Sequence, residues 1–290
     1  MGRRLIRPTL FLITLLLINL QPVPAQEQKA DYKTKPEVSY RSGIQTPQTD
    51  YMRERCKLDL YYPTSIKNYP TVVWFHGGGL KGGKKSVPDE LKEQGIAIVA
   101  VNYRLYPKAK KPVYLEDAAA AVAWTFQNIA NFGGDPKLIF VAGHSAGGYL
   151  TSMLGLDKRW LATHKIDAND IAGLIPYSGH CITHMTVREE MGIPRNQPII
   201  DDMAPLFHAR KDAPPILLIT GDRNLEFPTR YEENAYLNRL LKVVGHKQTQ
   251  LFELDGFTHN TMRKPGHQLL LEEIKRIVAK KPIASPLQKN

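Results

Sequence analysis

From about residue 55 onward the chain alternates between short apolar runs and longer helical patterns. Thr71-Val72-Val73-Trp74-Phe75 and the runs at 96–101, 138–141, 171–176 and 216–220 are of strand length and almost free of polar residues. Such runs suit strands buried on both faces. Residues 55–62 alternate in part and read as a first strand, and 249–254 as a last one. Between them lie helical stretches. Residues 114–129 are alanine-rich with Leu115, Val122, Trp124 and Phe126 interspersed, and a helix follows at 146–156. Thr229 opens another helix, which Gly245 stops, and 266–280 closes the series with Leu269, Leu270, Ile274 and Val278. A short helix is expected from Ser86, with Pro88 near its first turn. Strand and helix in strict alternation predict an α/β fold, with a parallel sheet covered on both faces. The periodicity weakens over 180–211, where a small cap or enlarged loop is expected.

The two ends read differently. Arg3, Arg4 and Arg7 precede a largely apolar core at 10–20, and Val23-Pro24-Ala25 offers small residues before a cut. Residues 1–25 are therefore expected to be a signal peptide and the protein to be exported, periplasmic or secreted. The apolar run is short for a bilayer span. Residues 26–48 are polar and are expected to form a flexible arm, 49–281 the folded domain, and 282–290 a C-terminal tail.

Composition changes little in this picture. The 290 residues are 42% hydrophobic and 23% charged, as in an ordinary globular chain. The net charge is +11, and cleavage at 25 removes three arginines and no acid, leaving +8. No aromatic-interleaved basic patch accompanies the charge, which argues against nucleic acid as a partner. Cys56 and Cys181 are far apart in sequence and leave open a disulfide or two buried thiols.

Candidate chemistry gathers at strand ends. Gly143-His144-Ser145-Ala146-Gly147 is a G-x-S-x-G sequence between a strand and a helix. In that setting a tight turn exposes a serine hydroxyl beside the free N–H groups of a helix start. His76-Gly77-Gly78-Gly79 follows another strand and offers glycine N–H groups to a developing negative charge. Of nine histidines, His259 alone combines the right order, after the serine, with the right place, the glycine-containing loop directly after the last strand. The acid that would orient His259 is open between Asp222 and Glu226, with Asn224 between them. His180 and His184 are four residues apart, but no third ligand accompanies them, and no metal or cofactor is required.

With these motifs the chain resembles the HGGG-bearing esterases and lipases of the α/β-hydrolase superfamily. The likeness is to the carboxylesterase, hormone-sensitive-lipase-like and bacterial acetyl- and feruloyl-esterase-like branches, from residue 58 to the last helix. It is carried by 76–79, 102–107, Glu116-Asp117, 131–136, 143–148 and 255–259. The resemblance implies a mostly parallel eight-stranded sheet, Ser145 as nucleophile, His259 as base, and the N–H groups of Gly77, Gly78 and Ala146 as oxyanion hole. One position departs from the pattern. The family's acid stands three residues after the strand-ending glycine, where this chain has Asn224. Glu226 is favoured as a displaced acid, Asp222 next, and loss of the triad is a third option. The implied activity is hydrolysis of small or short-acyl carboxylic esters, with an ester-decorated polysaccharide as a possible extracellular substrate. Amidase, arylformamidase or peptidase chemistry is the alternative, and a non-catalytic binding protein is the rival from outside enzymes. Nothing in the sequence fixes the oligomeric state.

Overall fold

A computed structural model describes residues 30–41 and 49–280. The expected signal peptide and C-terminal tail lie outside the described residues. In chain order the elements are β1 (Tyr32–Ser39), α1 (Asp50–Arg55), β2 (Lys57–Pro63), β3 (Tyr69–Phe75), β4 (Ala97–Val101), α2 (Val113–Phe132), β5 (Gly134–His144) and α3 (Ala146–Leu156). There follow α4 (Arg159–Ala162), β6 (Gly173–Tyr177), α5 (Met185–Glu190), β7 (Ile216–Gly221), α6 (Arg230–Val243), β8 (Thr249–Leu254) and α7 (Arg263–Lys280). The strands form one sheet in the order β1-β2-β4-β3-β5-β6-β7-β8. β1 and β2 pair antiparallel, as do β2 and β4, and every other pair is parallel.

Period-two side-chain direction divides the apolar runs between two cores. Val73, Phe75, Ile139, Val141 and Leu218 enter the core shared with α2, α3 and α6. Their neighbours Val72, Trp74, Phe140, Ala142, Leu217 and Ile219 enter the core shared with α7. Burial on both faces is why these strands show no polar alternation. The alanines of α2 are buried, so this helix lies close to the sheet, and Gly133 ends it at φ 101°, a left-handed cap. The outcome is the α/β-hydrolase fold, a mostly parallel eight-stranded sheet with helices on both faces.

Four local expectations need correction. The flexible arm at 26–48 contains β1, so the sheet begins before residue 49. β1 is an edge strand with its central five residues exposed, and its register shifts between Lys35 and Val38 around Pro36 and Glu37. It is held by its ladder to β2 and by Tyr32 stacked on Tyr61 at 4.8 Å, neither of which leaves a hydrophobic pattern. Lysine and proline are compatible with an edge that has no outer neighbour. The helix expected from Ser86 is a single 3-10 turn, Asp89–Leu91, because Pro88 and Gly95 leave too few residues for a stable helix. The turn expected at 131–136 ends earlier, since β5 already begins at Gly134. The strand expected from residue 55 is preceded by the helical turn α1, capped by the Thr49 hydroxyl.

Arg104 forms a two-pronged pair with the fully buried Asp117, at 2.7 and 2.8 Å, tying the loop after β4 to α2. Cys56 and Cys181 are free and buried. Burial, with Asp117 nearby, pushes the Cys56 thiol up to about 12. Both thiols are expected to resist an aromatic disulfide reagent in the native protein and to react once urea unfolds it; fast native reaction of either would contradict this burial. No helix among the described residues is long and apolar enough to cross a membrane.

Candidate active site

β5 ends at His144 and α3 begins at Ala146, leaving Ser145 alone in the turn with φ 58° and ψ −113°. That conformation costs a non-glycine residue about 1–3 kcal/mol and persists only where neighbours enforce it. Here the Ser145 N–H donates to the Tyr177 carbonyl at the end of β6, 2.8 Å away. The turn is tight enough that a Cβ on Gly147 would lie 2.1 Å from the Phe75 carbonyl oxygen. The glycine loop after β3 is similarly constrained: Gly78 has φ 110°, and a Cβ there would meet the Gly82 carbonyl at 2.3 Å. His76 fixes this loop. Its Nδ1–H donates to the Gly77 carbonyl at 2.7 Å, its ring stacks on Tyr103, and Tyr103 donates to the His76 carbonyl at 2.8 Å. Burial lowers His76 to about 4, so its ring is neutral. Among the described residues, the N–H groups of Gly77 and Gly78 donate to no protein acceptor.

His259 lies in the loop after β8, 5% exposed. Its Nδ1 is 2.7 Å from Glu226 Oε2 and 3.0 Å from the Ser178 hydroxyl. A carboxylate accepts, so the proton sits on Nδ1, and Nε2 carries the lone pair. Among the described residues Nε2 has no hydrogen-bond partner. Ser145 and His259 line the same cleft of about 580 Å³ together with Gly77 and Gly78.

Of the three acid positions, the structure brings only Glu226 to His259. Its Oε1 accepts the Gly221 N–H at 3.0 Å and its Oε2 the Phe227 N–H at 3.1 Å. Burial pushes this carboxyl up, but hydrogen bonds from His259, Ser178 and Gly221 outweigh it and hold Glu226 at about 2. Asp222 instead ties its own loop, accepting from Asn224 N–H at 2.8 Å and Gly256 N–H at 2.9 Å. Asn224 is exposed. The depressed Glu226 carboxyl stabilises the fold fully above the unfolded value of 4.5 and loses that contribution as pH falls towards about 2. In urea titrations the stability gap between wild type and Glu226→Gln is therefore expected to be constant above about pH 5 and to close below it. A gap unchanged down to about pH 2 would contradict the assignment.

Two further residues support the ring: His144, a variable position of the G-x-S-x-G turn, and Ser178, which no motif marks. His144 Nε2–H donates to the His259 carbonyl at 2.7 Å, and burial, with His259 nearby, lowers His144 to about 3. Ser178 follows β6 with φ 46°, and the buried Arg230 donates to its carbonyl. Its one sequence signal is position, since it stands at the carboxyl end of a parallel strand where functional groups of open α/β sheets collect.

The fold agrees with comparisons to known proteins. A family model described as BD-FAE matches residues 58–173, less than half of the chain. Esterase LipC of Mycobacterium tuberculosis is 29% identical over 210 residues, 66% of this chain and 51% of that protein. The chain thus spans about half the length of that curated relative. A truncated carbohydrate esterase from gut microbiota superposes with a TM-score of 0.71 at 18% identity, covering 88% of this chain and 99% of that one. Esterase 2 of Thermogutta terrifontis, phosphoramylated by tabun, gives a TM-score of 0.64 at 21% identity over 91% and 98% of the two chains.

The chain has the α/β-hydrolase fold and is similar in sequence to esterases. In this hydrolase-fold protein, residues between β6 and β7 roof the cleft: Met185, Thr186 and Glu189 of α5 line it, as does Arg195. His180 and His184 from the same stretch are engaged elsewhere. His180 Nδ1 bonds Glu233 at 3.0 Å, and His184 accepts the Thr186 N–H to cap α5.

Proposed function

We propose that the protein is a serine esterase acting on small carboxylic esters through an acyl-enzyme. One observation carries this reading: His259 has Nδ1 committed to a buried carboxylate and Nε2 unpartnered in the cleft that Ser145 lines. In the proposed cycle Nε2 takes the Ser145 proton as Oγ bonds the ester carbonyl carbon. The N–H groups of Gly77, Gly78 and Ala146 hold the resulting oxyanion. The carbon–oxygen bond to the alcohol then breaks, and Nε2 returns its proton to the departing oxygen. Water, deprotonated by Nε2, attacks the acyl carbon and releases the acid and Ser145. Glu226 keeps the ring in the required tautomer and offsets the imidazolium charge.

A cleft of about 580 Å³ has the size of a small-molecule site, which supports a small rather than a long-chain ester. Export is proposed from residues 1–25 alone, and an ester on an extracellular polysaccharide is one substrate that export would bring within reach. The test is turnover of p-nitrophenyl esters from acetate to palmitate, with fluorophosphonate labelling beside it. Turnover falling with chain length and labelling at Ser145 are expected. Absence of both would leave a binding protein; labelling without ester turnover would point to amide substrates.

A further inference from the structure

Beside the cleft lies a second chamber of about 730 Å³, and Met185, Arg195 and Phe227 form a wall common to both. Phe227 packs on the His259 ring with centroids 4.2 Å apart, so the chamber adjoins the base. Its other walls are largely apolar, with Ile182, Pro198, Leu206 and Pro228. Set into them is Arg188 of α5, 3% exposed. Among the described residues its one side-chain hydrogen bond runs from Nη1 to the Gln197 carbonyl at 2.5 Å, and its buried Nε has no partner. Among the described residues no carboxylate lies within the 4.0 Å of a salt bridge to Arg188. Arg195 stands exposed on the shared wall, in contact with the Met185 sulfur.

The other charges of the second chamber are engaged or exposed. Glu233 accepts from His180, the Cys181 N–H and the Thr229 hydroxyl. Arg230 directs both Nη groups to Ser178 and His180. Glu232 is exposed at the rim. On the cleft side Glu189 is paired with Lys81 at 2.6 Å, while among the described residues Lys84 and Arg263 have no acid partner. A guanidinium withdrawn from water with no carboxylate in contact, offset only by Glu233 from farther away, is unfavourable, and a bound anion with two acceptor oxygens relieves it. An apolar chamber with such a group in its wall fits a ligand with an apolar body and an acidic end.

We propose that the ester taken by this site carries a carboxylate on an apolar segment, seated in the second chamber with the carboxylate on Arg188 and Arg195. This names the substrate class within the esterase reading and rests on it. The test uses matched pairs. p-Nitrophenyl hydrogen glutarate and p-nitrophenyl valerate differ by carboxylate against methyl at the end of the acyl chain. 4-Acetoxybenzoate and 4-methylphenyl acetate place the same difference on the alcohol. In wild type, kcat/KM is expected to favour the acid in at least one pair by about tenfold or more, the scale of one charge-assisted hydrogen bond. Arg195→Gln and Arg188→Lys, the latter keeping charge but losing the fork, are each expected to bring that ratio down several-fold. Arg195 is exposed, so its variant reports even if a change at the buried Arg188 disturbs folding. Equal rates within both pairs, or a preference that survives both substitutions, would overturn the inference while leaving the esterase standing. If no ester of any kind turns over, the esterase reading fails first. Calorimetry of monomethyl glutarate against methyl valerate on Ser145→Ala then decides the inference, with equal affinities overturning it.

Discussion

Replacing Ser145 by alanine is expected to lower kcat on p-nitrophenyl acetate by about 10⁴-fold or more. The hydroxyl stands in the β5–α3 turn and lines the same cleft as His259. Ser178 approaches the same ring but from the Nδ1 side, 3.0 Å away, where the proton already belongs to the carboxylate pair. It is not placed to inherit the reaction. The fold is expected to survive, since the Ser145 N–H bond to Tyr177 is a backbone bond that alanine keeps. Alanine also inherits the strained φ of 58°, so thermal stability should change little. A residual rate about 10³-fold above water would be attributable to Gly77, Gly78 and Ala146, whose donors remain. If activity persisted at the wild-type level, the nucleophile would lie elsewhere and the proposed mechanism would fail.

The second large effect separates three neighbouring positions. Glu226→Gln is expected to reduce kcat by about 10²- to 10⁴-fold, because an amide supports the ring without offsetting the charge it gains. Asp222→Asn should lose the Gly256 N–H bond and soften the loop after β7, yet keep activity within about tenfold, a loss of positioning only. Asn224→Ala touches an exposed side chain and should be near neutral. Rates measured on one ester for all three, with melting temperatures beside them, distinguish a lost acid from a loosened loop. A large loss in Asp222→Asn with Glu226→Gln active would reverse the assignment.

Why a glutamate serves here is visible in the loop. Asp222 leaves β7 with its N–H bonded to the Phe257 carbonyl, and the Glu226 N–H bonds back to the Asp222 carbonyl, closing one turn. That turn carries position 226 under His259 and leaves 224 on its outer side, so the carboxylate that meets His259 stands two residues later than the pattern of related chains expects.

The sequence determined the elements whose signal is local. Strands buried on both faces read as apolar runs, and the glycines around Ser145 and at 77–79 follow from a turn that leaves no room for a Cβ. The order of serine and histidine along the chain pointed to Ser145 and His259, which line one cleft, because each stands at the carboxyl end of a strand that could itself be recognised. Tertiary structure decided the rest. β1 has no hydrophobic pattern because an edge strand is held by backbone bonds that every residue makes. Glu226, Asp222 and Asn224 are alike in sequence distance from His259, and only the turn after β7 gives one of them a path to Nδ1. Ser178, His144 and Arg188 meet their partners across 81, 115 and 9 residues respectively. A hydrogen bond or an unpaired buried charge depends on where side chains end, and that is fixed by the packing of separate segments.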